Sequence, residues 1–222
     1  MNTMNKTTTI TAIATAYATA AAASFALGFV LAPNQVHADG DGLSPPAYSD
    51  LSLIGGNVLE YGRGAIAVNQ AAGDDNQQAN VAAIAINPHG LAVAHTGVTQ
   101  SMTNIRGTLP DQAEARIDGN AFAHALGAIA VNQASGFANR QANSLAIAMG
   151  IRGEVIADSV LAETLPDAAG LVVGPSKGVL SVSVSETAFK YARGVIQLNQ
   201  TAGSGNNSAN NFALRVTAEP KL

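Results

Sequence analysis

The 222-residue chain contains no cysteine and no tryptophan. Without thiols there can be no disulfide, no thiolate metal site and no cysteine nucleophile. Charged residues make up 12% and aromatic residues 5%; the charged share is about half that of an ordinary soluble domain. The formal net charge is −4 and the basic residues never cluster. Binding a phosphate backbone needs grouped Lys and Arg, so nucleic acid is not an expected partner. Hydrophobic residues reach 47%, much of it alanine. Such small side chains suit close, repetitive stacking better than a core of large interlocking groups.

The N-terminus reads as a targeting segment. Residues 1–9 are polar with a single positive charge, Lys6, and residues 10–32 carry no charge. Pro33, Asn34 and Gln35 follow, then the triplet Val36-His37-Ala38, which fits an A-x-A-like cleavage site before Asp39. The apolar stretch could also span a bilayer as an uncleaved anchor. Pro33 and the triplet favour removal. The expectation is a helical signal peptide over 1–38, with the membrane met only during export.

Three segments align without a gap. They are GAIAVNQAAGDDNQQANVAAIAI (64–86), GAIAVNQASGFANRQANSLAIAM (127–149) and GVIQLNQTAGSGNNSANNFALRV (194–216). The shared pattern is G-x-I-x-[VL]-N-Q-x-[AS]-G-x-x-N-x-x-A-N followed by alternating apolar residues. Ile66 and Val68, Ile129 and Val131, and Ile196 and Leu198 have strand spacing, with the larger groups on one face. Gly73, Gly136 and Gly203 then mark a turn. A second strand places Ile84, Ile147 and Leu214 at matching positions. Each repeat is therefore read as strand–turn–strand with one apolar face per strand. A duplicated β-hairpin inside a globular domain is the rival reading.

A single such unit cannot stand alone in water. Equivalent amides suggest what it stacks on, because Asn and Gln donate and accept along a stack of similar layers. Four columns are expected: Asn69, Asn132 and Asn199; Gln70, Gln133 and Gln200; Asn76, Asn139 and Asn206; Asn80, Asn143 and Asn210. The fold expected is all-β, three stacked repeats forming a β-solenoid-like or cross-β core. The segments are a disordered stretch over 39–55, repeats over 56–86, 119–149 and 186–216, spacers over 87–118 and 150–185, and a tail over 217–222. The spacers read as partly ordered segments that add strands. Asn57-Val58-Leu59, Asn120-Ala121-Phe122 and Thr187-Ala188-Phe189 read as a weaker third strand. Tyr61, Leu126 and Arg193 sit just ahead of the first strand with no shared chemistry.

Catalytic and metal signals are weak. Gly174-Pro175-Ser176-Lys177-Gly178 matches G-x-S-x-G, but it lies in a Pro/Gly spacer with no helical pattern after it, so a turn is the better reading. His89, His95 and His124 lack metal-ligand spacing. Asp74 and Asp75 suggest a calcium turn, yet the equivalent positions are Phe137-Ala138 and Ser204-Gly205. Neither an enzyme nor a cofactor is expected.

These repeats, behind an export signal, resemble those of Fap-type functional amyloid subunits of Gram-negative bacteria. The resemblance implies an extracellular protein that self-associates with related repeat subunits into cross-β fibrils of a biofilm matrix. It also implies export through a dedicated outer-membrane pore, and it places the matching Asn, Gln and Gly positions in the fibril core. The similar spacers look like those of the minor, nucleator-type subunit. Fibril subunits of that type typically end in Cys-x-x-Cys, whereas this sequence ends Ala218-Glu219-Pro220-Lys221-Leu222, which leaves an accessory member of the system or a divergent homologue open. The alternative function is a secreted, monomeric β-solenoid adhesin that binds a surface or a glycan.

Overall fold

The computed structural model describes residues 7–18 and 28–30 as backbone, and then 49–103, 107–108, 110–163, 171–172 and 178–217. The described residues are all-β, with no helix. The strands are β1 (Thr7–Ala18), β2 (Gly28–Val30), β3 (Ser49–Ile54), β4 (Arg63–Ala72), β5 (Gln77–Thr103), β6 (Gly107–Thr108), β7 (Gln112–Ile117), β8 (Leu126–Ser135), β9 (Arg140–Glu163), β10 (Leu171–Val172), β11 (Val179–Val184), β12 (Arg193–Ala202) and β13 (Asn207–Thr217).

Nine of these strands build three parallel sheets, ordered β11-β7-β3, β12-β8-β4 and β13-β9-β5. Within the three repeats the pairing is in register. Asn69 faces Asn132 and Asn132 faces Asn199; Asn80 faces Asn143 and Asn143 faces Asn210. Each repeat is thus one layer, and repeat 2 lies between repeats 1 and 3. An in-register parallel stack sets like on like at about 4.8 Å, which is tolerable where the stacked residues are amides, Ala and Gly.

Within a layer the chain folds back on itself face to face. In the first layer β3 packs on β4, β4 on the first half of β5, and the first half of β5 on its second half. The last fold centres on residues 87–91, where the pairing register shifts and Asn87 Nδ2 donates to the carbonyl of Leu91 at 3.0 Å. Ala83, Ala85, Ala92, Ala94, Ala146 and Ala148 form a dry cluster between the two halves. Ala79, Val81, Val98 and Ala142 continue it, and Thr96 and Ser144 exchange a 2.6 Å hydrogen bond within it. Alanine lets two faces approach closely, which explains how a chain poor in large apolar groups still excludes water. A larger-residue core lies between β3, β4 and the turn joining them, around Ile54, Ile66, Ile117, Phe122, Ile129 and Val131.

Several expectations are corrected here. The leader is expected to be helical, but residues 7–18 are extended and pair antiparallel with the second half of β5, Thr7 opposite Thr103 and Ala18 opposite Ala92. The run TTTITAIATAYA is rich in β-branched residues, which are stiff in a way that suits strands, and the edge of β5 offers a free ladder. The cleavage triplet at 36–38 lies outside the described residues, as does 39–48. Ser49–Ile54, inside the stretch expected to be disordered, is a strand in register with β7. The reading of the spacers as segments that add strands needs no correction: the second halves of β5 and β9, and β7 and β11, belong to the layers. Residues 57–61, 120–124 and 187–191 are turns rather than a third strand. Leu59, Tyr61, Phe122, His124, Phe189 and Tyr191 all have φ near +60° there, which breaks a strand.

Candidate functional site

The polar residues of the repeats come together as amide columns through the three layers. Asn132 Nδ2 donates to Asn69 Oδ1 and Asn199 Nδ2 to Asn132 Oδ1, each at 3.0 Å. Asn143 Nδ2 reaches Asn80 Oδ1, and Asn210 Nδ2 reaches Asn143 Oδ1, at 2.9 Å each. These two columns interlock between β4 and β5 and their counterparts, since Asn80 Nδ2 donates to Asn69 Oδ1 at 2.8 Å and Asn143 Nδ2 to Asn132 Oδ1 at 3.0 Å. The result is a double ladder, buried in the middle layer, in which Asn80, Asn132, Asn143, Asn199 and Asn210 each also donate to a backbone carbonyl, such as Asn132 Nδ2 on Ala79 at 2.9 Å.

The glutamine column ties the sheet of β3, β7 and β11 to that of β4, β8 and β12. Gln133 Nε2 lies 3.4 Å from Gln70 Oε1, and Gln200 Nε2 donates to Gln133 Oε1 at 2.8 Å. The same groups reach across to carbonyls: Gln70 to Leu53 at 2.8 Å, Gln133 to Ser52 at 2.9 Å and Gln200 to Ser183 at 3.0 Å. The fourth column holds the turn, Asn139 Nδ2 donating to Asn76 Oδ1 at 2.9 Å and Asn206 Nδ2 to Asn139 Oδ1 at 2.8 Å. In each rung of the four columns the NH₂ belongs to the later repeat and the oxygen to the earlier one.

The turn glycines are dictated by the stacking. Gly73, Gly136 and Gly203 have φ of +89°, +110° and +108°. A Cβ on Gly136 would fall on the carbonyl oxygen of Gly203, and one on Gly73 on that of Gly136. A second column, Gly64, Gly127 and Gly194, obeys the same constraint; it was signalled by the first letter of the repeat pattern but not singled out.

Among the apolar positions, Ile66, Val68, Ile129 and Val131 are buried, whereas Ile196 is 41% exposed and Leu198 partly buried on the outer layer. Ile84 and Ile147 are only partly buried and Leu214 is exposed. The dry face of that strand is the opposite one, formed by Ala83, Ala85, Ala146 and Ala148. Period-two alternation shows two faces but does not say which is covered, and an alanine face packed against another alanine face carries no size signal.

Ring columns were also missed. Phe122 stacks on Phe189 with centroids 4.8 Å apart and planes within 6°. Tyr61, His124 and Tyr191 form a second stack at 4.9 and 5.0 Å. By register Arg63, not Tyr61, stands with Leu126 and Arg193; the turns over 56–61, 119–124 and 186–191 ahead of β4, β8 and β12 set the true alignment. His89 and His95 lie exposed on the second arm of the first layer. The G-x-S-x-G stretch falls outside the described residues except for Gly178.

The arrangement binds like to like along one axis and, among the described residues, presents no cleft built around reactive groups. No solved structure matches the chain. The match to the functional amyloid protein FapB/FapC family covers residues 32–217, which takes in all three layers and both spacers. The chain belongs to this family of functional amyloid proteins.

Proposed function

We propose that this protein is an exported structural subunit that self-assembles into, or nucleates, extracellular cross-β fibrils of a biofilm matrix. The observation that carries the reading is the open outer edge of repeat 3. Among the described residues no strand pairs with the far side of β11, β12 or β13, and the amide columns end there at Asn199, Gln200, Asn206 and Asn210. An uncovered edge of this kind templates another layer. The layer below supplies the pattern that a further copy would continue.

The related repeat subunits of a fibril would share these columns, and a dedicated outer-membrane pore would carry the chain to the surface before it stacks. Residues 1–38 serve as the signal that directs it to the periplasm. The test uses the purified chain beginning at Asp39. It should form fibrils in a concentration-dependent way, grow on added seeds and give a meridional reflection at about 4.7–4.8 Å. A chain that remains a soluble, cooperatively folded monomer for days, and that binds a surface or glycan in that form, would point to the adhesin instead.

A further inference from the structure

The layers differ in charge along the stack. Repeat 1, residues 49–86, carries Asp50, Glu60, Arg63, Asp74 and Asp75, a net of −3. Repeat 2, residues 112–149, carries Glu114, Arg116, Asp118 and Arg140, a net of zero, with Arg116 and Asp118 paired at 2.7 Å. Repeat 3, residues 179–217, carries Glu186, Lys190, Arg193 and Arg215, a net of +2. The second arm of the middle layer adds Arg152, Glu154, Asp158 and Glu163, which makes that layer acidic too, while the two ends of the stack stay opposite in sign.

From this we infer that the partner of the basic repeat-3 face is the acidic repeat-1 face of a second copy, so that copies dock head to tail with a single polarity. The inference rests on the self-assembly reading and adds its direction and register. Continuing the in-register stack by one layer sets Lys190 beside Glu60 of the next copy, a position held by the neutral Ala123 in the middle layer. It sets Ser204 and Gly205, not acids, beside Asp74 and Asp75 of the next copy. Acidic face on acidic face, or basic on basic, would place like charges a single layer apart. The one like-charge pair in the head-to-tail register is Arg193 over Arg63, both exposed and close in sequence to Glu60 and Lys190.

The amide columns carry the same polarity independently of charge. Each rung has its NH₂ on the later repeat and its oxygen on the earlier one. Repeat 3 therefore ends the columns on amide oxygens, and only a repeat-1 edge continues them in the same sense, although Asn76 Nδ2 and Asn80 Nδ2 also reach the Gly136 and Ala130 carbonyls of repeat 2. A heterologous contact of this type does not close on itself and generates an open filament. The exposed Val182, Val184 and Ile196 on the repeat-3 face supply apolar area for it.

The test is charge reversal read by the initial rate of seeded elongation, with the chain beginning at Asp39. Strands β3 to β13 pair among themselves without β1 or β2. Glu60→Lys and Lys190→Glu should each slow elongation on their own seeds by roughly 3- to 10-fold, the scale expected for one exposed charge contact plus its effect on encounter. The double variant in one chain should return to within about 2-fold of wild type, because the pair is restored with its sign reversed. Glu60→Lys monomers added to Lys190→Glu seeds should also start faster than either variant on its own seeds. Single variants that elongate at the wild-type rate, or a double variant as slow as the singles combined, overturn the inference while leaving self-assembly intact. A wild-type chain that extends no seed at all overturns the reading beneath it.

Discussion

Asn132→Asp is the sharpest probe of the amide lattice. Asn132 is fully buried in the middle layer, and its NH₂ faces Asn69 Oδ1, the Ala79 carbonyl and Asn80 Oδ1 at 2.9 to 3.0 Å. Its oxygen accepts from Asn143 Nδ2 and Asn199 Nδ2, both at 3.0 Å. The substitution keeps size and the acceptor, but replaces the donor by an oxygen aimed at three other oxygens. Stranding those acceptors costs about 1–3 kcal/mol each when nothing else satisfies them, and burying an uncompensated charge costs more. Since Asn69 and Asn80 oxygens keep other donors, a total of about 3 kcal/mol is the conservative figure. In fibrils this appears as free monomer left at equilibrium, raised by roughly 100-fold. Burial raises the introduced carboxyl above its unfolded value of about 3.9. The penalty is therefore full above the raised folded value and fades as pH falls through it, because the protonated group can donate again. Thr99→Asp, on an exposed position, is the control and should change residual monomer by less than about 0.5 kcal/mol. Equal residual monomer for the two variants, or no recovery in acid, would refute the claim that the ladder holds the layers.

Gly136→Ala should block stacking of the third layer on the second, since the added methyl meets the Gly203 carbonyl and the left-handed backbone disfavours a side chain by about 1–2 kcal/mol; failure to form fibrils under wild-type conditions is the readout. Phe122→Ala removes a fully buried ring stacked on Phe189 and should destabilise by about 3–5 kcal/mol, measured as a lower denaturant midpoint for fibril dissolution. A chain that keeps residues 1–38 should extend seeds several-fold more slowly than one beginning at Asp39, because β2 occupies the edge of β4 at Ala67, Val68 and Asn69 and β1 that of β5.

The stack itself was readable because amides mark register. Asn69, Asn132 and Asn199 share neighbours on both sides, so aligning letters aligns layers. The second arms were not readable in that way. Leu91 pairs with Arg152, Val93 with Glu154 and His95 with Ile156, and only the inward positions Ala92, Ala94, Val155 and Ala157 share a character, smallness or a short aliphatic side chain. An outward position tolerates anything soluble, so the two arms diverge in letters while keeping their parity. The turn before β4 misled for a different reason. The apolar runs around Leu59 and Phe122 look like short strands, but positive φ at residues two apart coils the chain without changing the spacing of letters. Residues 7–18 look helical by their alanine content, yet their threonines favour extension once an open edge is present.

The middle layer shows what an outer layer lacks. Ile129 is 1% exposed, against 8% for Ile66 and 41% for Ile196; Ile117 is 1% exposed, against 44% for Val184. The residues are chemically alike, so the difference is position in the stack. Covering repeat 3 with one more layer would bring Ile196, Val182, Val184 and Leu214 toward the state of their repeat-2 counterparts, worth about 1 kcal/mol for each side chain that is half covered. Three strands' worth of ladder bonds and four amide rungs would form at the same step. Association costs at least about 4 kcal/mol, so the apolar gain alone roughly meets it and the hydrogen-bond lattice supplies the surplus. This ordering has a consequence for sequence choice. A subunit that closed its third layer with charged caps would fold as stably and stop, whereas one that ends on the same amides and aliphatics as its interior leaves its last layer as incomplete as before each addition. Growth then continues for as long as copies arrive, and the charge difference between the ends decides which way round they bind.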